Sequence, residues 1–184
     1  MSKPRILIAR AVFPEVVEHL SLHFQVESNQ EDVLRSPAEL AARLADKDGA
    51  LTTGSERIDR SLLAACPRLR IVANMAVGYN NFDVEAMTAA GVQGTNTPDV
   101  LTETTADFGF ALLMATARRV TESEHFLRAG RWNRWSYDMF AGAEVHGTRL
   151  GIIGMGRIGQ GIARRGAHGF GMEVVYHNRS RLAP

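Results

Sequence analysis

The chain has 184 residues, enough for one large domain or two small ones, and 45% of them are hydrophobic, enough for a sizeable core. A formal net charge of +1 argues against nucleic acid as a partner, and no apolar stretch is long enough to cross a membrane. The single Cys66 cannot form an internal disulfide, and no Cys/His spacing typical of a metal site occurs. With no signal-peptide pattern at the start, we expect a cytoplasmic protein.

Short apolar runs alternate with helical patterns through the first half of the chain. We predict strands over 5–9, 23–28, 49–53 and 69–74, and helices over 15–22, 37–45, 59–65 and 82–90. The second helix has the clearest start, because Ser36 is a good capping residue, Pro37 suits the first helical position and Glu39 places an acid in the first turn. Alternating strands and helices imply an α/β protein with a mainly parallel sheet.

The second half begins after a junction at 96–99. A helix is predicted over 101–119, and it is apolar around so much of its circumference that we expect it to be packed on several sides. The remaining predicted elements are a helix over 120–129, an irregular segment over 131–147, and strands over 150–153 and 172–177. Because the last two strands begin a second β/α series, we divide the chain into domains 1–98 and 99–184.

The most specific local pattern is a glycine-rich turn between an apolar strand and a helix. Its residues are Gly154, Met155, Gly156, Arg157, Ile158 and Gly159. In this arrangement the first glycine permits a tight turn, the second lets the backbone approach a pyrophosphate, and the third allows the helix to pack closely on the strand. The pattern predicts a dinucleotide-binding turn, and the alternative is a glycine-rich turn without a ligand.

The strand over 172–177 is followed by Asn178, Arg179 and Ser180, where NAD-binding proteins place an acidic residue for the ribose hydroxyls. No carboxylate stands there to repel a 2′-phosphate, and the guanidinium of Arg179 offers several donors. We therefore expect NADP(H) to be preferred, with NAD(H) also accepted. The alternative is that Arg179 is a solvated turn residue.

Three segments together resemble the D-isomer-specific 2-hydroxyacid dehydrogenase family, and they are most similar to its glyoxylate/hydroxypyruvate reductase branch. The segment 74–83 is similar to the family's substrate-carboxylate loop, the segment 96–107 is similar to its hinge and interdomain helix, and the glycine-rich turn lies where the family places it. The resemblance implies a flavodoxin-like substrate domain followed by the first part of a Rossmann dinucleotide-binding domain, both with parallel sheets.

The resemblance also implies where the substrate binds. The amides of Val77 and Gly78 would hold the substrate carboxylate, and residues near Thr53 and Gly54 would flank it. Converging backbone amides are suited to an anion, which makes the assignment chemically sensible. The alternative is an ordinary strand-to-helix turn.

Further roles follow from the same resemblance. Thr105 would lie near the nicotinamide end of the cofactor, and Arg157 and Ile158 would contact its pyrophosphate and adenosine side. Trp135 would reach the substrate pocket of the neighbouring subunit in a homodimer. For Thr105 the alternative is a helix residue bonded to its own backbone, and for Trp135 it is plain packing.

No catalytic residue is assigned in this chain. The family's catalytic Arg, its acid–base His and the Glu that pairs with that His match no position here, so the resemblance implies that the chain is the N-terminal part of the enzyme only. Reduction of a 2-oxo acid needs a proton donor and a cation near the carbonyl, so we expect these 184 residues alone to show little or no turnover.

Taken together, the motifs predict an NAD(P)H-dependent oxidoreductase that reduces glyoxylate or hydroxypyruvate to the D-2-hydroxy acid when the enzyme is complete. One alternative is a dinucleotide-sensing, corepressor-like binding protein, and another is an inactive truncated product. Rapid turnover by the complete protein would favour the enzyme, whereas cofactor binding without turnover would favour the sensor.

Overall fold

The computed structural model of the chain describes residues 2–182 and divides into two units between Val100 and Leu101. The division falls two residues after the boundary predicted from the sequence. Strands and helices alternate in both units, so the predicted α/β class with parallel sheets is confirmed.

The first unit is built around a five-stranded parallel sheet in the order β2-β1-β3-β4-β5. The strands are β1 Arg5–Ile8, β2 Gln25–Ser28, β3 Gly49–Thr52, β4 Ile71–Asn74 and β5 Gln93–Thr95. The helices are α1 Pro14–Ser21, α2 Pro37–Leu44, α3 Arg60–Ala65 and α4 Val84–Ala89. From β1 the sheet grows first towards β2 and then, in the other direction, towards β3. In open parallel sheets, ligands bind beyond the carboxyl ends of the strands near such a reversal.

The sequence predicts four of these strands and misses β5. All three residues of β5 are exposed, so the strand carries no apolar run or alternation by which it could be recognised. It forms because Gln93 and its neighbours pair with β4, which lies beside it in the sheet. The strand expected over 23–28 begins at Gln25, two residues later than predicted.

The predicted capping pattern of α2 is confirmed in detail. The hydroxyl of Ser36 accepts a hydrogen bond from the Glu39 amide at 3.4 Å, and the Glu39 carboxylate accepts one from the Ser36 amide at 2.8 Å. These two bonds satisfy donors that the first turn of a helix leaves unpaired. Helix α2 contributes Leu44 to the core of the first unit, where the side chains of Leu7, Leu44 and Val72 are completely buried.

In the described residues, the second unit consists of two helices followed by a strand, a helix and a second strand, and the two strands pair as a parallel sheet. Its elements are α5 Thr102–Ala117, α6 Val120–Arg128, β6 Arg149–Ile153, α7 Arg157–Arg164, a π-helical turn Arg165–Gly169 that continues α7, and β7 Glu173–His177. The two strands pair in register from Arg149 with Glu173 to Ile153 with His177.

Helix α5 packs closely on α7 through small residues. Ala106 is completely buried, and a Cβ added at Gly161 would lie only 2.8 Å from the Cβ of Ala106, so glycine is needed at this contact. Ion pairs of Arg164 with Glu103 and of Arg165 with Asp107 border it.

The expectation that α5 is packed on several sides is met only in part, because α5 contacts α7 and α6 within the second unit while another stretch of its surface is exposed. Phe108 is 64% exposed and Leu112 is 51% exposed. The physical reason is that α7 covers one face of α5, and no described element of the second unit covers these two side chains.

Among residues 2–182, no helix is both long enough and apolar enough to cross a membrane. In the same range, no group of three or more His, Cys, Asp or Glu side chains is arranged to hold a metal ion.

Candidate functional sites

The loop that follows β4 presents two backbone amides that have no hydrogen-bond partner within the described range 2–182. The carbonyl of Val77 accepts a hydrogen bond from the Asn96 side chain at 2.7 Å, and the carbonyl of Gly78 accepts one from the Asn74 side chain at 3.0 Å. Among residues 2–182, nothing accepts a hydrogen bond from the amide of Val77 or of Gly78. The loop is therefore held by its carbonyls while its donors stay available for an anion.

Three buried or half-buried polar side chains hold this loop from below. The hydroxyl of Thr52 donates to Oδ1 of Asn74 at 3.1 Å, and Nδ2 of Asn74 also lies 3.3 Å from Oδ1 of Asn81. Thr52 is 1% and Asn74 is 2% exposed, so these bonds replace solvent for groups that water cannot reach. Neither Asn74 nor Asn81 is given a role by the sequence pattern, although both lie in the segment 74–83 that resembles the family's substrate-carboxylate loop.

The loop after β3 is tied to its neighbours in the same way. A carboxylate oxygen of Glu56 accepts hydrogen bonds from the amide and the hydroxyl of Thr53, at 2.7 and 2.9 Å. A Cβ at Gly54 would lie 4.0 Å from the Cβ of Ala76, so the β3 and β4 loops are adjacent. Thr53 and Gly54 therefore lie close to the loop that contains Val77 and Gly78.

An ion pair joins the loops after β1 and β2. The guanidinium of Arg10 donates to both carboxylate oxygens of Asp32, at 2.7 and 2.8 Å, and the Ala11 amide donates to the same carboxylate at 3.0 Å. Arg10 also lies 3.8 Å from the carboxylate of Glu56, which connects this pair to the β3 loop. The hydrogen bond from Arg10, with help from the Ala11 amide, lowers the pKa of Asp32 to about 2.

The glycine-rich turn in the second unit has the geometry that its pattern predicts. Gly154 has φ +95°, a conformation that glycine adopts readily and other residues rarely do. A Cβ added at Gly159 would collide with the carbonyl oxygen of Gly154, so only glycine lets α7 start this close to the end of β6. Gly156 caps α7 without a side chain and is exposed, and a Cβ there would meet nothing within 4 Å.

The other residues assigned to the dinucleotide lie around this turn. Met155 is buried, Ile158 is half-buried and Arg157 is exposed. The Gly154 amide donates to the His177 carbonyl at 2.9 Å, so the turn and the segment of Asn178, Arg179 and Ser180 lie at the same edge of the β6–β7 sheet. That segment forms a local turn, in which the Asn178 side chain donates to the Ser180 carbonyl at 3.1 Å, and Arg179 is exposed.

Two further predicted residues belong to the second unit but not to this turn. Thr105 is the fourth residue of α5, directly before the buried Ala106 that packs on Gly161. Trp135 lies in the irregular segment after α6 and its side chain is 76% exposed.

The folds of the two units define a class of protein. The β2-β1-β3-β4-β5 order is that of a flavodoxin-like domain, and the sequence of strand, glycine turn, helix and parallel strand is the first part of a Rossmann dinucleotide-binding domain. Each unit has a feature suited to an anion: the Val77–Gly78 loop in the first unit, and in the second a glycine turn that leads directly into the N-terminus of α7.

Comparison with known proteins identifies the family. Residues 6–173 match the family described as D-isomer specific 2-hydroxyacid dehydrogenase, catalytic domain. The chain therefore belongs to the D-isomer specific 2-hydroxyacid dehydrogenases, as the resemblance indicated.

Individual relatives agree with this assignment. The chain is 49% identical over 183 residues to a glyoxylate reductase from Thermococcus kodakarensis, covering 97% of this chain and 55% of the relative. It superposes on the TT0316 protein of Thermus thermophilus with a TM-score of 0.89 and 37% identity, covering 97% of this chain and 57% of that one. An NADPH-dependent glyoxylate/hydroxypyruvate reductase from Sinorhizobium meliloti, solved with NADP and malonate, superposes with a TM-score of 0.81 and 37% identity, covering 98% of this chain and 55% of that one. The chain thus spans about half the length of the relatives it matches.

The ion pair of Asp32 makes stability depend on pH in a defined window. An aspartate with a lowered pKa stabilises the folded state above its unfolded pKa of about 3.9, and that contribution is lost as the pH falls through the folded pKa of about 2. We expect Asp32→Asn to lower the melting temperature at neutral pH, with the difference from the native chain closing between about pH 4 and pH 2. Asparagine suits the test because it tolerates the positive φ of +54° at this position.

Melting curves over this pH range, followed by circular dichroism, provide the measurement. Glu31→Gln is the matched control, since it removes the same charge at the neighbouring position, where the side chain has no ion pair with any residue in the range 2–182. A difference in melting temperature that stays constant from pH 7 to pH 2 would show that the ion pair is not responsible.

Proposed function

We propose that the protein containing this chain reduces a small 2-oxo acid, glyoxylate or hydroxypyruvate, to the D-2-hydroxy acid with a nicotinamide cofactor. The observation that carries the proposal is the pair of amides at Val77 and Gly78, which have no partner in the part of the chain that the structure describes and lie on a loop whose carbonyls are already bonded. Family membership and the glyoxylate reductases among the relatives support a 2-oxo acid as the anion bound there.

Within this chain, binding and orientation are divided between the two loops. The amides of Val77 and Gly78 would fix the substrate carboxylate, with Thr53 and Gly54 beside it. The glycine turn, formed by Gly154, Met155, Gly156, Arg157, Ile158 and Gly159, would hold the pyrophosphate of the dinucleotide. A Cβ at Gly154 or Gly156 would meet nothing within 4 Å, so the backbone there leaves room for the close approach of a ligand. When bound, the reduced nicotinamide supplies the hydride, and Thr105 would lie near that end of the cofactor.

We place the proton donor and the cation that polarises the carbonyl outside these 184 residues. The relatives extend over nearly twice the matched length, which leaves room for both groups. The chain by itself is therefore expected to bind ligands without turnover.

We propose NADP(H) as the preferred dinucleotide, with NAD(H) accepted. The support is the local turn of Asn178, Arg179 and Ser180, which offers an exposed guanidinium and no carboxylate beside the glycine turn. The Sinorhizobium meliloti relative, which is described as NADPH-dependent, agrees with this preference.

We also propose that the working enzyme is a cytoplasmic homodimer that uses the exposed apolar side chains of the second unit. Those side chains are Phe108, Leu112, Leu127, Trp132 and Trp135, and they are between 51% and 76% exposed. Large exposed apolar groups on neighbouring elements are typical of surfaces that another protein covers. Trp135 is the residue proposed to reach the partner's substrate pocket.

The activity is tested by purifying the full-length protein and following the absorbance of the reduced cofactor with glyoxylate or hydroxypyruvate. We expect saturable oxidation of NADPH and formation of glycolate or D-glycerate, and no turnover by the 184-residue chain alone. Binding of NADPH without turnover by the full-length protein would instead favour a dinucleotide sensor. No turnover and no binding would contradict the proposal altogether.

The cofactor preference is tested at Arg179. Loss of charge-assisted hydrogen bonds to a 2′-phosphate typically costs about 1.5–3 kcal/mol, so Arg179→Asp is expected to weaken NADPH binding about tenfold to a hundredfold. The introduced carboxylate would strengthen NADH binding at the same time. Dissociation constants from cofactor fluorescence provide the measurement.

Arg181→Asp is the control for this variant, because it makes the same charge change two residues further along and is expected to have the smaller effect. Tighter binding of NADH than of NADPH by the unmodified protein would refute the preference. Equal effects of the two substitutions would show that only net charge matters.

A further inference from the structure

One side chain connects the two loops that flank the proposed carboxylate site. Nδ2 of Asn81 lies 3.1 Å from the carbonyl oxygen of Thr53 and 2.8 Å from that of Glu56, both in the loop after β3. Oδ1 of the same side chain accepts a hydrogen bond from Nδ2 of Asn74, which also donates to the carbonyl of Gly78. Asn81 therefore contacts the β3 loop directly and the Val77–Gly78 loop through Asn74.

The backbone of Asn81 strengthens the same connection. Its carbonyl accepts a hydrogen bond from the Ile58 amide at 2.8 Å, and the Asp83 amide donates to the Ile58 carbonyl at 2.9 Å. This pair of bonds forms a short parallel bridge between Ile58 and Phe82. The position of Asn81 is thus fixed by the main chain, and its side chain is left to set the spacing of the two loops.

The chemistry of the site requires an amide at this position. Two backbone carbonyls can only accept hydrogen bonds, so the group that faces them must donate, while the group that faces Nδ2 of Asn74 must accept. Asparagine supplies both on a short side chain. An aspartate of the same shape would place a carboxylate against two carbonyl oxygens and lose both donors.

We propose that Asn81 is a positioning residue for substrate binding, which holds the Val77–Gly78 amides at the correct distance from the Thr53–Glu56 loop. The inference rests on the proposed function, because it assigns the substrate carboxylate to those amides. It goes beyond that function by naming a residue that acts on the substrate through Asn74 and Thr53 without contacting it.

The test compares Asn81→Asp, Asn81→Ala and Asn80→Asp in the full-length protein. Asn80→Asp is the matched control, since it introduces the same charge one position away. Asn80 is exposed, and its side chain makes no hydrogen bond to any residue described in the structure. We expect Asn81→Asp to raise the KM for glyoxylate about tenfold, which corresponds to about 1.4 kcal/mol. The kcat and the NADPH dissociation constant should change less than about threefold, and Asn80→Asp should change KM by clearly less than Asn81→Asp does.

Hydrogen exchange provides a measurement that does not depend on activity. The Thr97 amide donates to the Ala76 carbonyl at 3.0 Å, so its exchange rate reports whether the Val77–Gly78 loop keeps its place. In the substrate-free protein we expect this amide to exchange several-fold faster in Asn81→Asp than in Asn80→Asp. If the unmodified protein reduces no 2-oxo acid, the proposed function fails, whereas the exchange comparison still decides whether Asn81 holds the loop.

Several results would overturn the inference. An unchanged KM in a folded Asn81→Asp protein, an equal rise in KM in Asn80→Asp, or NADPH binding weakened as strongly as glyoxylate binding would each do so. Asn81→Ala, which places no charge against the carbonyls, takes over the test if Asn81→Asp does not fold. Loss of folding in both Asn81 variants would assign the residue to the stability of the whole unit and not to the loop.

Discussion

The first unit depends on how backbone groups are satisfied at the carboxyl edge of its parallel sheet. Where each strand ends, ladder hydrogen bonds stop, and the next carbonyls and amides need other partners. Short polar side chains supply them: Asn29 bonds the Ala9 and Val33 carbonyls, Asn81 bonds those of Thr53 and Glu56, and Asn96 bonds that of Val77. These side-chain hydrogen bonds link loops from β2 to β5, and no metal group or disulfide among the described residues takes part. Among residues 2–182, the amides of Val77 and Gly78 at this edge have no such partner, and they are the groups proposed to bind a ligand.

In the second unit the corresponding constraint is that helices and strands must approach one another closely, and glycine makes this approach possible. Gly159 lets the start of α7 approach the Gly154 carbonyl, and Gly161 lets the same helix approach Ala106 of α5. Further along, a Cβ at Gly166 in the π-helical turn would lie 2.7 Å from a methyl group of Leu150. The same property that allows a phosphate to approach the turn thus recurs where helices and strands approach each other. The Val77–Gly78 loop and the glycine turn are therefore built by opposite means, the first by polar side chains and the second by the absence of side chains.

Much of the fold could be predicted from the sequence because the patterns that indicate it involve residues close together in the chain. The capping box at Ser36 and Glu39 and the glycine turn between β6 and α7 depend on residues a few positions apart, and both take the predicted form.

Strand β5 could not be found this way, since its exposed residues owe their structure to pairing with β4. The role of Asn81 was hidden for a related reason: its partners at Thr53 and Glu56 are 28 and 25 positions away, and only the folded sheet brings them together. The exposure of Phe108 on α5 likewise depends on which elements surround it, which composition alone does not specify.

The β6–β7 sheet has a consequence for handling the chain. Within residues 2–182 the two strands pair only with each other, so each keeps one edge whose ladder groups have no neighbour, and Ile153 at the end of β6 is 91% exposed. Open edges of this kind are templates for intermolecular strand pairing. In concentrated solution the isolated 184-residue chain is therefore prone to aggregate through this sheet. Further strands paired to either edge would cover the open ladder groups, and would thus increase solubility as well as extend the fold.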